Sequence, residues 1–520
     1  MAVAATYCRG QLGLRAPLVQ VEVHLGPGLP VFSIVGLPAT AVKESKERVR
    51  AALANCGFQF PAGRITVSLA PADLPKEGGR FDLPIALGIL KASRQVLEVA
   101  GPAREFYGEL SLSGELLPVR GMTLAAAHAV REGHEIIVPL ANLRDTHIVR
   151  QSRTLGARNL LEVCRHLRGE DRGSLLLRRQ DAAAAGAEAA AAAVAAPDLA
   201  DVRGQQLPKR ALVIAAAGSH SVLMIGPPGS GKTMLAQRLP GLLPPPSAAE
   251  ALEVATIASV SSDAEAGQYG RRPFRAPHHT ASATAIVGGG PHARPGEISL
   301  AHRGVLFLDE LAEFDRRVLE SLREPLENRI VTISRARLQV QYPAHFQLIA
   351  AMNPCACGYL GDSSGRCRCT PAQVDAYRGR ISGPLLDRID LLIEVPRLPL
   401  TDVAAPGPAP GTPPFPTSAT AATEVARARR RQWRLRGCLN AELPPSRLQA
   451  VARLAPDAST LLAQVFDRLG LTARSYHRVL RVALSIADLA ASDVVTAAHI
   501  AEAVQLRRLV TTFRDSMPAP

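Results

Sequence analysis

The sequence contains no stretch of about 20 consecutive apolar residues free of charge, which is the length that a membrane-spanning helix needs. Its first residues, MAVAATYCRGQLG, also lack the basic head and the long apolar run of a secretory signal. Cysteine is scarce, and four of the eight cysteines are scattered as Cys8, Cys56, Cys164 and Cys438. We therefore expect a cytoplasmic protein with no membrane partner, in which these four residues are reduced thiols.

Length and charge set limits on the class of protein. A chain of 520 residues is too long for one ordinary core, so two or three domains are expected. Hydrophobic residues make up 47% and charged residues 20%, the balance of a globular protein. The formal net charge of +14 suits an acidic partner, although an arginine-rich composition explains it equally well. Composition alone therefore assigns no activity.

Two low-complexity stretches divide the chain into three blocks. One is the alanine-rich run at 181–197, and the other is the proline-rich run at 405–423. The first block mixes strand-like and helical segments, the middle block alternates apolar strands with helices as a parallel sheet does, and the last block has helical spacing throughout. The predicted segments are a first block at 1–172, a linker at 173–199, a middle block at 200–400, a linker at 401–423 and a last block at 424–512.

The strongest motif is SVLMIGPPGSGKTMLAQRL, which places a glycine-rich loop between an apolar strand and an amphipathic helix. Backbone N–H groups of such a loop face a phosphate, and the following helix adds its positive N-terminus. Lys232 would neutralise phosphate charge, and the hydroxyl of Thr233 would bind Mg²⁺. The predicted nucleotide-binding residues are Gly226, Pro227, Pro228, Gly229, Ser230, Gly231, Lys232 and Thr233.

Two further strands end in polar residues. GVLFLDE ends in Asp309, a predicted Mg²⁺ ligand, and Glu310, which would orient and deprotonate the attacking water. FQLIAAMNP ends close to Asn353, where a γ-phosphate sensor would lie. An acid pair that only caps a helix is the alternative for Asp309 and Glu310, but it is less compatible with the upstream loop. Together the three strand ends predict a site that hydrolyses ATP.

The middle block resembles AAA+ ATPases, and within them the magnesium-chelatase-like group, through RPGEISLAHRGVLFLDELAEF, NPCACGY and SGPLLDRIDL. This resemblance implies a hexameric ring in which Arg388 is the arginine finger and Arg474, in TARSYHRVLRVA, is the sensor-2 arginine of a helical lid. Arg388 has an alternative role as the ion-pair partner of Asp387 or Asp390. Arg474 has an alternative as an ordinary solvated helix residue.

Two segments of the middle block extend beyond a minimal β-α-β unit. The first is the segment between Lys232 and Asp309 that includes His278 and His279, and in the group that this block resembles it holds a loop that faces the ring channel. A metal site is the weaker interpretation, because the two adjacent histidines have no nearby acids. The segment ISRARLQVQYPAHF would be a hairpin whose Arg335 and Arg337 contact DNA or simply face solvent.

The first block resembles the N-terminal domain of the YifB/ComM family, which has the Lon protease fold, through FSIVGLPATAVKESKERVRAAL and ITVSLAPADLPKEGGRFDLPIALGIL. Lon-type peptidases have a nucleophilic serine just after the corresponding turn, where this chain has Gly79, Arg80 and Phe81. The expected fold class is therefore a multidomain α/β chain: a Lon-protease-like (S5-type) α+β domain that is not a peptidase, an AAA+ P-loop core on a parallel sheet, and a C-terminal helical lid.

The resemblance to the YifB/ComM-like magnesium-chelatase-like ATPases covers nearly the whole chain. It implies an ATP-driven hexamer acting on branched or single-stranded DNA, with branch migration during natural transformation as the expected process. The alternative is a remodelling ATPase that acts on a protein or metal-insertion partner. A non-enzymatic nucleotide holder is disfavoured because Glu310 and Arg388 are both in place.

The other four cysteines, Cys355, Cys357, Cys367 and Cys369, form two C-x-C pairs on either side of a short glycine-containing loop. They would suit a structural Zn²⁺ site, with reduced free thiols and a redox disulfide as alternatives.

The last block begins near ARARRRQWRLRG, in which the chain's only tryptophan, Trp433, lies among six arginines. We expect a helix that buries Trp433, while a surface that binds nucleic acid by stacking and phosphate contacts remains the alternative.

Overall fold

In the computed structural model, the described residues are 2–170, 197–261, 269–290, 292–335, 338–362, 365–398, 415–468 and 472–507. Most of the two predicted linkers and Arg337 lie outside these ranges. The chain divides into two compact units. The N-terminal unit comprises 1–193, 248–270 and 334–342, and the nucleotide unit comprises 194–247, 271–333 and 343–520.

The N-terminal unit contains a four-stranded sheet and a three-stranded parallel sheet. The first has the order β1-β2-β4-β3, in which only the β3–β4 pair is parallel, and the second has the order β5-β8-β9. In β2 the apolar Val19, Val21 and Val23 are fully buried while the residues between them are not, the period of two of a strand with one face on the core. The strands are β1 (Ala2–Arg9), β2 (Leu18–Gly26), β3 (Phe32–Val35), β4 (Arg64–Ala70), β5 (Arg104–Phe106), β6 (Glu109–Leu110), β7 (Leu116–Leu117), β8 (Glu135–Pro139) and β9 (Arg153–Ala157).

The helices of this unit cover the sheets. Helix α2 is buried on nearly every face, and Lys91 is its one residue that is not buried. Such a helix lies at the centre of a core. The first five helices in the chain are α1 (Thr40–Asn55), α2 (Asp82–Ala92), α3 (Met122–Glu132), α4 (Leu143–His147) and α5 (Leu160–Arg168).

A helix from the middle of the sequence also belongs to the N-terminal unit. Helix α9 (Ala248–Val260) packs on α3, and the backbone N–H of Gly121 donates to the carbonyl of Ser259 at 2.8 Å. Leu252 packs against the core of this unit. The predicted middle block at 200–400 is therefore not one continuous structural domain, because a segment within it packs elsewhere.

The turn at 79–81, for which the sequence predicts no catalytic serine, is tightly packed. Gly79–Phe81 form one turn of 3₁₀ helix, and all three residues are buried. A Cβ atom at Gly79 would lie 2.2 Å from Oε2 of Glu109. Arg80 donates to Oε1 of Gln11 and to the carbonyl of Arg120, so its side chain is committed to structural contacts. Any side chain at position 79, serine included, would displace Glu109.

The nucleotide unit is built on a five-stranded parallel sheet with the order β11-β14-β17-β10-β18, which confirms the parallel sheet predicted for the middle block. Chain connections run to opposite sides of β10, so a crevice is expected outside its carboxyl end. The remaining strands of the chain are β10 (Val222–Ile225), β11 (Phe274–Arg275), β12 (Gly288–Gly289), β13 (Arg294–Pro295), β14 (Val305–Leu308), β15 (Ile330–Arg335), β16 (Leu338–Pro343), β17 (Gln347–Met352) and β18 (Leu391–Glu394). The end of β15 and most of β16 belong to the N-terminal unit.

Helices flank this sheet, and the described part of the C-terminal region from 415 to 507 is helical. Those around the sheet are α6 (Gln206–Gly218), α7 (Lys232–Ala236), α8 (Leu239–Leu242), α10 (Ala283–Val287), α11 (Glu297–Leu300), α12 (Arg316–Ser321), α13 (Arg323–Asn328), α14 (Pro371–Arg378) and α15 (Gly383–Leu386). The C-terminal helices are α16 (Ser418–Arg436), α17 (Pro445–Val451), α18 (Pro456–Arg468), α19 (Ala473–Leu489) and α20 (Ala497–Gln505). Among the described residues, no helix is both long and apolar enough to cross a membrane.

Helix α16 differs from the sequence-based expectation in two ways. It begins at Ser418, inside the predicted linker, because the hydroxyl of Thr417 caps it by accepting from the N–H of Thr420. Trp433 is 56% exposed, so the expectation that the helix buries it is wrong. Gln432 occupies the buried position instead and donates to the carbonyl of Ala217.

A buried charged network joins the sheet to α19. Asp390 accepts from Arg478 at 2.6 Å and lies 3.1 Å from Nδ1 of His220. Burial alone would raise the pKa of Asp390, but Arg478 and His220 outweigh it and hold the pKa well below its ordinary value. Because the folded state thus favours the carboxylate, the network stabilises the fold above the ordinary Asp pKa of about 3.9, and this contribution is lost as the pH falls below it.

Replacing Asp390 with asparagine is therefore expected to lower the free energy of unfolding by about 3–5 kcal/mol at pH 7, since Arg478 would remain buried without its counter-charge. Thermal unfolding of wild type and variant at pH 7 and pH 3 measures this, and the difference should shrink at pH 3, which lies below the ordinary Asp pKa. The exposed Asp467 provides the matched Asp467→Asn control. Equal melting temperatures for Asp390→Asn and wild type at pH 7 would contradict the prediction.

Candidate active site

The glycine-rich loop lies at the carboxyl end of β10, whose four residues are all buried. A Cβ atom at Gly226 would lie 2.1 Å from the carbonyl oxygen of Val395. Gly229 and Gly231 have φ angles of 74° and 93°, in the left-handed region that side chains disfavour. Glycine at these positions is therefore required by close approach and by backbone conformation.

Lys232 is buried at the start of α7. Its ammonium group donates to the carbonyls of Gly226 and Pro227 at 2.7 and 2.9 Å and to Oδ1 of Asn353 at 3.3 Å. Burial lowers the pKa of Lys232, and the nearby Asp309 and Glu310 oppose this change. The structure thus brings the predicted phosphate lysine and the predicted sensor asparagine together, across two strand ends.

Thr233 and Asp309 also meet at this edge of the sheet. The hydroxyl of Thr233 donates to Oδ2 of Asp309 at 2.6 Å, and the N–H of Glu310 donates to Oδ1 of the same carboxylate at 2.9 Å. A hydroxyl and a carboxylate are the hard oxygen donors that Mg²⁺ prefers. The two residues predicted to hold Mg²⁺ fit that ion by their chemistry and by their contact with each other.

Glu310 follows Asp309 in a left-handed conformation with a φ of 52°, uncommon for a residue with a side chain. Its carboxylate is half-exposed, and Oε2 lies 3.1 Å from Nδ1 of His279. A cavity of about 290 Å³ opens here. It is lined by Thr233, Gln237, Phe274, Ala276, Pro277, His278, His279, Phe307, Asp309 and Glu310.

His279 is a site residue that the sequence analysis missed. It follows β11, which pairs in parallel with β14, so the segment after β11 reaches the same sheet edge as Asp309 and Glu310. The only sequence signal is the two-residue strand Phe274–Arg275, too short to be recognised from periodicity. The contact of His279 with Glu310 is one that the sequence analysis did not predict, and the expected channel-facing loop stays a prediction.

Arg388 and Arg474 line a second cavity, of about 330 Å³, and no residue of the glycine-rich loop lines it within the described chain. Arg388 donates to Oε1 of Glu327 at 2.5 Å and to the carbonyl of Pro384. Glu327 is thus a partner that the sequence analysis did not consider, and Asp390 pairs with Arg478. The arginines that line this cavity are Arg329, Arg388, Arg474, Arg478 and Arg481.

The four clustered cysteines converge at one point. Their sulfur atoms all lie within 4.8 Å of one another, and all four are free thiols. Cys355 is fully buried, whereas the other three are partly exposed. The donor set is compatible with a metal ion such as Zn²⁺.

Two arginine-containing surfaces predicted to contact nucleic acid are described in part. Arg335 is exposed at the end of β15. On α16, Arg430, Trp433 and Arg434 are all exposed at helical spacing i, i+3 and i+4, so they lie on one face. The indole of Trp433 therefore belongs to an exposed, arginine-containing face of α16.

Comparison with known proteins places nearly the whole chain among magnesium-chelatase-like proteins. Family models described as "Magnesium chelatase, subunit ChlI", "Subunit ChlI of Mg-chelatase" and "Magnesium chelatase, subunit ChlI C-terminal" match 198–403, 21–142 and 416–507. The chain is 46% identical over 511 residues to an uncharacterized protein YifB of Salmonella typhimurium, and 45% identical over 511 residues to competence protein ComM of Haemophilus influenzae. Each alignment covers 98% of both chains. An uncharacterized Mycobacterium tuberculosis protein is 40% identical over 513 residues.

Proposed function

The chain belongs to the YifB/ComM-like family of magnesium-chelatase-like proteins, and on that basis we propose that it is a ring-forming, DNA-dependent ATPase. An ATPase of this kind is supported by the family. The proposal for the site rests on two hydrogen bonds that join three strand ends. Thr233 donates to Asp309, and Lys232 donates to Asn353. We further propose a hexamer, a cytoplasmic location and junction branch migration as the action on DNA.

The proposed site residues have distinct tasks. The loop 226–231 would bind the phosphates of ATP through its backbone N–H groups, and Lys232 would neutralise their charge. Thr233 and Asp309 would hold Mg²⁺, which would supply electrostatic stabilisation of the phosphoryl oxygens when bound. Glu310 would orient the attacking water and accept its proton, and His279, whose Nδ1 lies 3.1 Å from Oε2 of Glu310, would position the carboxylate. Asn353 would contact the terminal phosphate.

The second cavity supports a site shared between subunits. Arg388 and Arg474 lie together there, in a cavity that the loop 226–231 does not line. An arginine that stabilises charge on a transferred phosphoryl group must reach that group. We therefore propose that both arginines act on the nucleotide of the adjacent copy, so that each site needs two subunits.

The assignment of the outer parts of the chain is also a proposal. The N-terminal unit would have the Lon-protease-like fold without peptidase function, since Gly79 lies where the nucleophile would be. The C-terminal helices from α16 to α20 would be the lid of the ATPase. These assignments rest on the resemblance to the YifB/ComM family. Magnesium-chelatase family models match residues 21–142 and 416–507 at the two ends of the chain.

Three observations support DNA as the substrate. The net charge is +14, one relative at 45% identity is named a competence protein, and α16 exposes Trp433 between Arg430 and Arg434. An indole stacks on a base, and guanidinium groups contact the flanking phosphates.

The test is ATP hydrolysis by the purified protein with no DNA, with single strands and with a four-way junction. We expect stimulation by the junction, and we expect Trp433→Ala to lower the ratio of stimulated to DNA-free turnover about 10-fold, since loss of one stacked base costs about 1–3 kcal/mol. Leu435→Ala, which truncates another exposed side chain of the same helix, is the matched control. Turnover that ignores every DNA would refute the DNA assignment and favour the second candidate, a remodelling ATPase that acts on a protein or metal-insertion partner.

A further inference from the structure

The sulfur positions in the cysteine cluster match one tetrahedral centre. The Sγ atoms of Cys355 and Cys357 are 3.3 Å apart, those of Cys355 and Cys367 are 3.8 Å apart, and those of Cys357 and Cys367 are 3.6 Å apart. Four thiolates at the usual Zn–S distance of about 2.3 Å lie about 3.8 Å from one another. A disulfide requires sulfur atoms about 2.05 Å apart, and none of these three pairs approaches that value.

We propose that Cys355, Cys357, Cys367 and Cys369 bind one Zn²⁺ ion, and that this ion holds the surrounding loop against the nucleotide site. Four thiolates in tetrahedral geometry select zinc over the hard cations. A site with four protein ligands leaves no open position for substrate, so the ion is structural.

Both cysteine pairs are attached to ordered elements. Cys355 lies three residues after the end of β17, and its carbonyl accepts from the N–H of Gly358 at 3.0 Å. Cys369 immediately precedes Thr370, which forms a capping box with Gln373 at the start of α14. A metal ion would close the chain between these two elements, and the closure reduces the freedom of the loop.

The same loop packs on the nucleotide site. Gly358 is buried with a φ of 84°, and a Cβ atom there would lie 2.8 Å from the side chain of Pro228 in the glycine-rich loop. Asn353, the partner of Lys232, is only two residues before Cys355. The guanidinium of Arg378 in α14 donates to the carbonyl of Pro354 at 3.3 Å. Loss of the ion would therefore loosen two residues that contact the phosphate-binding loop, Gly358 and Asn353.

The first experiment measures metal content of the full chain purified without a histidine tag. We expect about one zinc per chain by elemental analysis, and Co²⁺ supplied in its place should give the thiolate charge-transfer and tetrahedral d–d bands. Cys367→Ser and Cys369→Ser should lower the zinc content, whereas Cys438→Ser, a cysteine outside the cluster, should not. The proposed zinc site would be overturned if protein expressed and purified with added zinc contained less than about a tenth of an equivalent of zinc. It would also be overturned if the protein contained stoichiometric iron.

The second experiment measures the coupling, which rests on the proposed nucleotide site. Zinc is released from wild type with an organomercurial, and binding of a fluorescent ATP analogue is measured before release, after release, and after restoration with dithiothreitol and Zn²⁺. We expect affinity to fall about 10-fold on release and to return on restoration, a loss typical of removing the support of a site residue. The wild type starts folded, so a folding failure of the serine variants does not affect this result. Unchanged affinity after complete release would refute the coupling, and the metal content would still decide the site. Because neither experiment involves turnover or DNA, failure of the proposed function is distinguishable from failure of this inference.

Discussion

Replacing Glu310 with glutamine is expected to lower the rate of ATP hydrolysis by about 100-fold or more while ATP still binds. Glutamine retains the size of the side chain but cannot accept the proton of the attacking water, and a general base contributes about 10²–10⁴ in rate. Lys232 and Thr233, which contact the phosphates and Mg²⁺ in the proposed site, are untouched by this change. Steady-state hydrolysis and equilibrium binding of a fluorescent ATP analogue measure the two effects separately.

Two variants make the result specific. Glu313→Gln changes an exposed glutamate three residues further on, which pairs with Arg380, and should retain wild-type turnover. Lys232→Ala should lose both binding and hydrolysis, because the ammonium group that neutralises phosphate charge is gone. If Glu310→Gln kept more than about a tenth of wild-type turnover, the assignment of the general base would be wrong.

Replacing Arg388 with alanine is expected to lower turnover by about 10³-fold, the smallest loss typical of an arginine finger. The cavity that contains Arg388 lacks any residue of the loop 226–231 among the described ones, so the loss should arise at the neighbouring subunit. Arg388→Lys should recover little, because an ammonium group cannot reproduce the planar fork of the guanidinium. Arg380→Ala, which removes an arginine of the same region that pairs with Glu313, should retain turnover.

Mixing two inactive variants distinguishes action across an interface from action within one subunit. In rings assembled from Arg388→Ala and Glu310→Gln chains, about one interface in four combines an intact Glu310 with an intact Arg388 from the adjacent copy. Turnover should therefore reappear in the mixture to about a quarter of the wild-type value. If Arg388 served its own subunit, no site in the mixture would be complete, and a mixture as inactive as its components would exclude the shared site.

Local patterns in the sequence were sufficient to predict the nucleotide loop and the polar residues at three strand ends. These residues become neighbours because the carboxyl ends of parallel strands meet at one edge of a sheet, although they are far apart in sequence. The contacts of Lys232 with Asn353 and of Thr233 with Asp309 are the result. The sequence also predicted that the four clustered cysteines would lie together, since all four fall within 15 residues of one another.

Tertiary structure alone decided the features that depend on distant packing. His279 reaches Glu310 through a strand of two residues, which is too short to leave a periodic signal. Helix α9 belongs to the N-terminal unit although its sequence lies inside the middle block, because its partner α3 is more than 100 residues away. Trp433 faces outward because the adjacent Gln432 finds a buried carbonyl at Ala217. The sequence by itself therefore determined which polar residues gather at the proposed nucleotide site. Tertiary packing decided which residues support that site and which face solvent, because such contacts depend on where distant segments of the chain come to lie.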